Sequence, residues 1–166
     1  MSIIQLDARY SNIYRSLRLE SLEQCPECFA SSVDEEKSLN LEAFQNHLFR
    51  DDLATFGAFD HEKLVGMTTL AMNEQQKLTH KATLLAVYVT PEYRGKGYGA
   101  RLLESAIDLA REKVAIEQIH VTLATNNEAA LNIYHRLGFE QYGKMSRSMK
   151  LGPDVYCDEL QLVLHL

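Results

Sequence analysis

Residues 84–110 read LLAVYVTPEYRGKGYGARLLESAIDLA, and three patterns succeed one another along them. Leu84–Val89 is an apolar run rich in valine and closed by Pro91, which fits a buried strand better than a helix. Arg94–Gly99 then packs three glycines into six residues. Beyond them the period changes. Leu103, Ala106, Ile107 and Ala110 recur at spacings of three and four, as on the buried stripe of an amphipathic helix. Strand, glycine loop and helix in succession build an anion site: glycine lets backbone N–H groups close on phosphate oxygens, and the helix N-terminus adds the positive end of its dipole.

The glycine spacing narrows the phosphate ligand. A dinucleotide fingerprint needs G-x-G-x-x-G, whereas Gly95, Gly97 and Gly99 are spaced two and two. The nucleoside-triphosphate loop G-x-x-x-x-G-K-[ST] is absent. What stands is Val89-x-Pro91 followed by R-x-x-G-x-G at Arg94, Gly97 and Gly99. Further on, N-x-x-A-x-x-x-Y-x-x-x-G-F is formed by Asn127, Ala130, Tyr134, Gly138 and Phe139. In this order the two patterns resemble the paired signatures of the GNAT superfamily of N-acetyltransferases, small bacterial type. The resemblance covers residues 53–166 well, with Tyr156 and Asp158 in the last strand also in the family's style.

Composition agrees with one globular domain over residues 1–166: the chain is 46% hydrophobic, enough for a sizeable core. Met1–Asn12 lacks a charged segment followed by an apolar one, so no secretory signal is expected. No apolar run approaches the ~18 residues of a membrane span. With three cysteines and no disulfide framework, a cytoplasmic location is the simplest expectation, with no membrane partner. Charge is uneven: residues 1–62 hold 12 acids and 5 Lys or Arg, so most of the net charge of −6 lies there. No basic stripe interleaves with aromatics, which argues against nucleic acid. An acidic first third either steers a cationic acceptor or is an ordinary solvated surface.

The remaining elements follow from period and punctuation. Ile3–Leu6 reads as a strand, and Asp7 as the cap of a helix carrying Ile13, Leu17 and Leu19 or Leu22. Pro26 breaks that helix inside Cys25-Pro26-Glu27-Cys28. Zinc would need a second pair of ligands there, and a redox pair would be expected to open a helix, so no metal or redox chemistry is expected of it. A helix over Leu41–Phe49 is capped by Asn40 or Ser38. Leu53–Asp60 and Leu64–Met72 form a hairpin, giving an antiparallel half-sheet before Leu84. The Tyr98–Lys113 helix should return the chain so that Ile119–Ala124 pairs in parallel with Leu84–Val89. Thr125–Glu128 reads as a capping box opening a helix whose Ala130, Ile133, Tyr134 and Leu137 share a face, ended at Gly138. Gln141–Leu151 and Val155–Leu166 close the chain as two strands.

The resemblance implies the rest. The fold would be α/β (α+β): a mixed, mostly antiparallel sheet of about seven strands, with a splayed parallel pair and about four helices. The co-substrate would be acetyl-CoA, its pantetheine arm pairing like an extra strand with backbone near Val87 to Val89. The pyrophosphate would take N–H bonds from Arg94, Gly95, Lys96, Gly97, Tyr98, Gly99 and Ala100, with Lys96 or Arg94 adding charge. Asn127 would contact the cofactor and Tyr134 would protonate the departing thiolate. Some family members carry a base where this chain has Thr122, which cannot serve. His120, on the same face by period-2 alternation, has a suitable acidity; a water relay is the alternative. The expected activity is acetyl transfer to the primary amine of a small molecule or peptide by direct attack in a ternary complex. The other reading is a non-catalytic acyl-CoA sensor of the same fold. A homodimer is an assembly the family allows.

Overall fold

The computed structural model describes residues 1–166. Its strands are β1 (Ser2–Gln5), β2 (Leu53–Asp60), β3 (Lys63–Met72), β4 (Lys81–Val89), β5 (Gln118–Ala124), β6 (Glu140–Gly152) and β7 (Val155–His165). They form one seven-stranded sheet in the order β1-β2-β3-β4-β5-β7-β6. Five α-helices accompany it: α1 (Ser11–Gln24), α2 (Val33–Lys37), α3 (Leu41–Phe49), α4 (Tyr98–Glu112) and α5 (Glu128–Arg136). The helix beyond the expected four is α2, a five-residue turn held by a reciprocal capping box between Ser32 and Glu35. No helix is long and apolar enough to cross a membrane.

Two apolar clusters fix the layers. On one face α4 buries Leu102, Leu103, Ala106, Ile107 and Ala110 against Ala54, Phe56, Val65 and Leu84 of the sheet. On the other, Tyr14, Leu17 and Leu22 of α1 and Phe44 and Leu48 of α3 pack on Phe59, Leu64, Met67 and Tyr88. Ile13, expected on the buried stripe, turns to solvent, because Tyr14, Leu17 and Ser21 recur at the spacing that faces the sheet. Asp7 caps a single 3-10 turn, Ala8–Tyr10, and not α1 itself. The cap of α3 is Asn40, whose side chain accepts from Ala43 N. The expected capping box at Thr125 does not form: Asn127 is the N-cap of α5, and its side chain accepts from Ala130 N.

β4 and β5 are the sole parallel pair, and they pair only briefly. Lys81, Ala82 and Thr83 lie opposite Gln118, Ile119 and His120. The expected parallel pairing along Leu84–Val89 falls on the part of β4 that makes no pair with β5. The reason lies on the opposite edge of β4. Leu85 faces Thr69 and Tyr88 faces Met67, so Ala86 and Val87 share the single residue Thr68. That is a β-bulge, which bends and twists its strand. Ala86 sits at its centre with φ 53°, in the left-handed region. β5, by contrast, pairs over its whole length with β7, from Gln118 opposite His165 to Ala124 opposite Glu159. The two strands therefore part like a V above Thr83.

Left-handed backbone costs an L-residue roughly 1–2 kcal/mol, and more when the side chain is β-branched. Replacing Ala86 with Val should destabilise the protein by about 1–3 kcal/mol in chemical denaturation. Ala86→Gly should be near neutral, relief of strain offsetting the added freedom of the unfolded chain. Equal losses for both variants would show that strain at this bulge does not matter.

Candidate active site

The loop after β4 is shaped by two glycines. Gly95 and Gly97 have φ of +74° and +86°, which glycine adopts without steric cost. Nothing stands within 4 Å of where either Cβ would be, so their backbone faces open space. Gly97 is the N-cap of α4, its carbonyl accepting from Arg101 N at 3.1 Å. The N–H groups of Tyr98, Gly99 and Ala100 in the first turn have no intrahelical acceptor, and they sit at the positive end of the helix. Tyr98 spends its side chain on the scaffold: its hydroxyl donates to Asp60 Oδ1 at 3.0 Å and holds this turn against β2. Arg94 Nε donates to Val89 O at 2.9 Å, and Nη2 to Cys25 Sγ at 3.5 Å. Arg94 is thereby braced at the mouth of the V, whereas the Lys96 ammonium lies 5.1 Å from the Tyr93 ring centre.

Two cavities meet in the gap. One, of about 700 Å³, is lined by Val87, Val89, Arg94, Gly95, Gly97–Ala100 and Asn127. Every sequence-predicted cofactor residue except Lys96 is in that wall. The other, of about 660 Å³, reaches towards α1, α2 and α3. Both touch Val87, Asn127, Ala130, Cys28 and Phe29, which mark where they join.

Tyr134 lines the second cavity from α5. Its ring is 2% exposed and packs edge-on against Phe139 with centroids 5.2 Å apart. Burial, and then the nearby Cys28, push its acidity down, so the phenol stays protonated. Thr122 is in the same cavity, on β5. His120 is not. It stands at the paired foot of the V opposite Thr83, its ring held by Gln118 Oε1 at 2.8 Å and Tyr142 Oη at 3.2 Å, and it lines neither cavity. Alternation along β5 gives the correct face but not the depth: the cavity wall begins at Val121, and on the face of His120 at Thr122.

The groups that do face the second cavity come from elements distant in sequence. Glu159 projects from β7, where it accepts from Ser148 Oγ of β6. Arg18 of α1 and Glu36 of α2 form a two-pronged ion pair, Nη2 to Oε1 at 2.6 Å, with the guanidinium 4.7 Å over the Phe29 ring. His47 of α3 is held neutral, since burial and the neighbouring Arg18 lower its proton affinity. By alternation Glu159 shares a face of β7 with Cys157. Asp158, between them, instead accepts from Arg147 N at 2.8 Å and fixes the β6 bulge.

A glycine-lined anion loop, a helix N-terminus and a sheet that opens beside them are the parts a coenzyme A-dependent acyltransferase needs. The comparisons agree. The profile of the Acetyltransferase (GNAT) family matches residues 15–139, and the chain belongs to that family, whose co-substrate is acetyl-CoA. N-alpha-acetyltransferase 30 of Schizosaccharomyces pombe is 26% identical over 102 residues, 61% of this chain and 67% of that one. N-alpha-acetyltransferase RimI of Mycobacterium tuberculosis is 38% identical over 69 residues, 41% of each chain, so the match spans well under half of that relative. The acetyltransferase of the GNAT family from Streptococcus pneumoniae superposes with TM-score 0.89 at 21% identity, covering 99% of both chains.

Gly97→Glu puts a side chain and a negative charge into the anion loop, at a φ that costs ~1–2 kcal/mol for an L-residue. Acetyl-CoA affinity, measured by calorimetry, should fall at least about tenfold, or ~1.4 kcal/mol. Undiminished affinity would place the pyrophosphate elsewhere.

Proposed function

We propose that this chain transfers the acetyl group of acetyl-CoA to a primary amine, of a small molecule or a peptide, by direct attack within a ternary complex. The observation that carries this reading is the junction of two cavities where β4 and β5 part, so that donor and acceptor approach one carbonyl from two sides. The acceptor class is supported by the relatives, which act at α-amino groups by name.

Each residue has a role that its position supports. The N–H groups of Gly97 to Ala100 take the pyrophosphate, and Arg94 adds a charge already aligned by Val89 and Cys25. The unpaired edge of β4 near Val87 to Val89 hydrogen-bonds the pantetheine amides. One N–H of that edge polarises the thioester carbonyl as negative charge builds on its oxygen; losing a comparable donor costs roughly 10²–10³ in rate. Asn127 uses its side-chain oxygen to cap α5, which leaves its amide N–H₂ for the ligand. Tyr134 donates to the departing thiolate. A phenol of reference pKa ~10 is a weak donor to a thiol of ~8.5, and burial weakens it further, so donation relies on positioning and on a cleft that destabilises thiolate as well.

The amine arrives mostly protonated, since an alkyl ammonium has a pKa of ~10.4. Glu159 is the carboxylate of the acceptor cavity that faces outward from no ion pair; Glu36 is neutralised by Arg18. Glu159 attracts the ammonium and takes its proton, directly or through one water. His120 has no part in this scheme.

Initial rates with both substrates varied should give intersecting lines; parallel lines would mean an acyl-enzyme and would remove direct attack. Tyr134→Phe should lower kcat by about 10²-fold with acetyl-CoA affinity changed little, the loss expected for one proton donor. Glu159→Gln should raise KM for the amine and shift the rise of rate with pH to higher values. A Glu159→Gln enzyme with the wild-type pH profile would transfer the base to another group.

A further inference from the structure

Acetyl transfer makes no use of Cys25-Pro26-Glu27-Cys28, yet the fold brings this segment to the cofactor. After α1 the chain makes one 3-10 turn over Pro26–Cys28, with Cys28 N donating to Cys25 O at 3.0 Å. Such a turn holds its end Cα atoms within ~7 Å. A disulfide spans ~4.4–6.8 Å between Cα atoms, so this backbone suits one closely. All three cysteines are free; Cys25 and Cys28 are half-buried and Cys157 is buried. Both members of the pair line the cavity formed by Val87–Val89 and the glycine loop. Cys28 also touches the acceptor cavity, which puts it at the junction where the CoA sulfur must lie. Cys25 Sγ accepts from Arg94 Nη2 at 3.5 Å.

The pair follows a helix and does not open one, so no helix N-terminus points at either sulfur. The guanidinium of the glycine loop lies beside Cys25 instead. No cluster of three or more His, Cys, Asp or Glu side chains surrounds the pair, so a metal has no ligand set. Burial, then the charge of Cys25, pushes the Cys28 thiol up to about 12. Cys28 therefore holds its proton while Cys25, beside Arg94, is the sulfur placed to attack.

We propose that Cys25 and Cys28 are a dithiol site for the disulfide of coenzyme A, bound in the acyl-CoA cavity; the proposal rests on that cavity holding the CoA nucleotide. The Cys25 thiolate attacks the near sulfur of CoA–S–S–CoA, forming a Cys25–S–S–CoA bond and expelling one CoA thiolate. The Cys28 sulfur then attacks Cys25 Sγ, its proton passing to the second CoA thiolate as that leaves. The dithiol loses two electrons, the CoA disulfide gains them, and two CoA thiols are released. The nucleotide binds the oxidant beside Cys25 and raises its local concentration.

The test mixes the reduced full chain with CoA disulfide and follows thiol release and the protein's own thiol count. The pair should be oxidised with Cys157 left free, and peptide mass spectrometry should find Cys25 bridged to Cys28. Pantethine, the same disulfide without its nucleotide, should react at least about tenfold more slowly at equal concentration. A CoA analogue lacking the sulfur should slow CoA disulfide to the pantethine rate. Cys28→Ser should arrest as a CoA adduct on Cys25, and Cys25→Ser should not react. Equal rates for the two disulfides, oxidation at Cys157, or undiminished adduct formation on Cys28 in the Cys25→Ser chain would overturn the proposal. Calorimetry with acetyl-CoA separates the two ways of failing. Binding without exchange sinks the dithiol site alone, and no binding removes the cavity assignment with it.

Discussion

A buried strand with unpaired backbone is costly, because each N–H and C=O removed from water needs a partner. This protein keeps one such edge in the middle of its sheet. β4 is satisfied by β3 on one side, and on the other by β5 for three residues only. Beyond Thr83 its polar groups face a gap, and β5 turns to β7 for its own hydrogen bonds. In the proposed mode of binding, the cofactor's arm, with amides of its own, is the partner that edge lacks. The cavities, the exposed loop amides and the position of Tyr134 are all consequences of that parting.

Electrostatics reinforces the geometry without many charges. The anion loop relies on backbone N–H groups, a helix dipole and one braced guanidinium, a set that needs no large basic surface in a chain of net charge −6. On the acceptor side the Arg18–Glu36 pair cancels itself and His47 is neutral, which leaves Glu159 as the charged group of that cavity outside any ion pair. That cavity offers one carboxylate outside any ion pair among mostly apolar surface.

What could be read in the residues alone was local. The switch from a strand run to glycines to a helical stripe lies within 84–110, and both the loop and α4 formed as that order requires. Gly138 took the left-handed cap for the same reason, at φ +92°. The extent of parallel pairing was not legible, since the bulge that cuts it short is centred on an alanine, with no glycine to announce it. Period-2 alternation misled at His120 because it fixes a face and says nothing of where along the strand the sheet opens. Glu159, Arg18 and Glu36 were invisible for another reason: they meet only after β7, α1 and α2 have docked.

The order of the strands has a consequence for biosynthesis. β5 leans throughout on β7, which leaves the ribosome after the other six strands, whereas β1–β4 can hydrogen-bond among themselves as soon as they emerge. The nascent polypeptide thus assembles its first half early and waits for β7 to build the far wall of the cleft. A translation product halted short of β7 would carry the glycine loop and α4 beside a β5 that lacks its full-length partner.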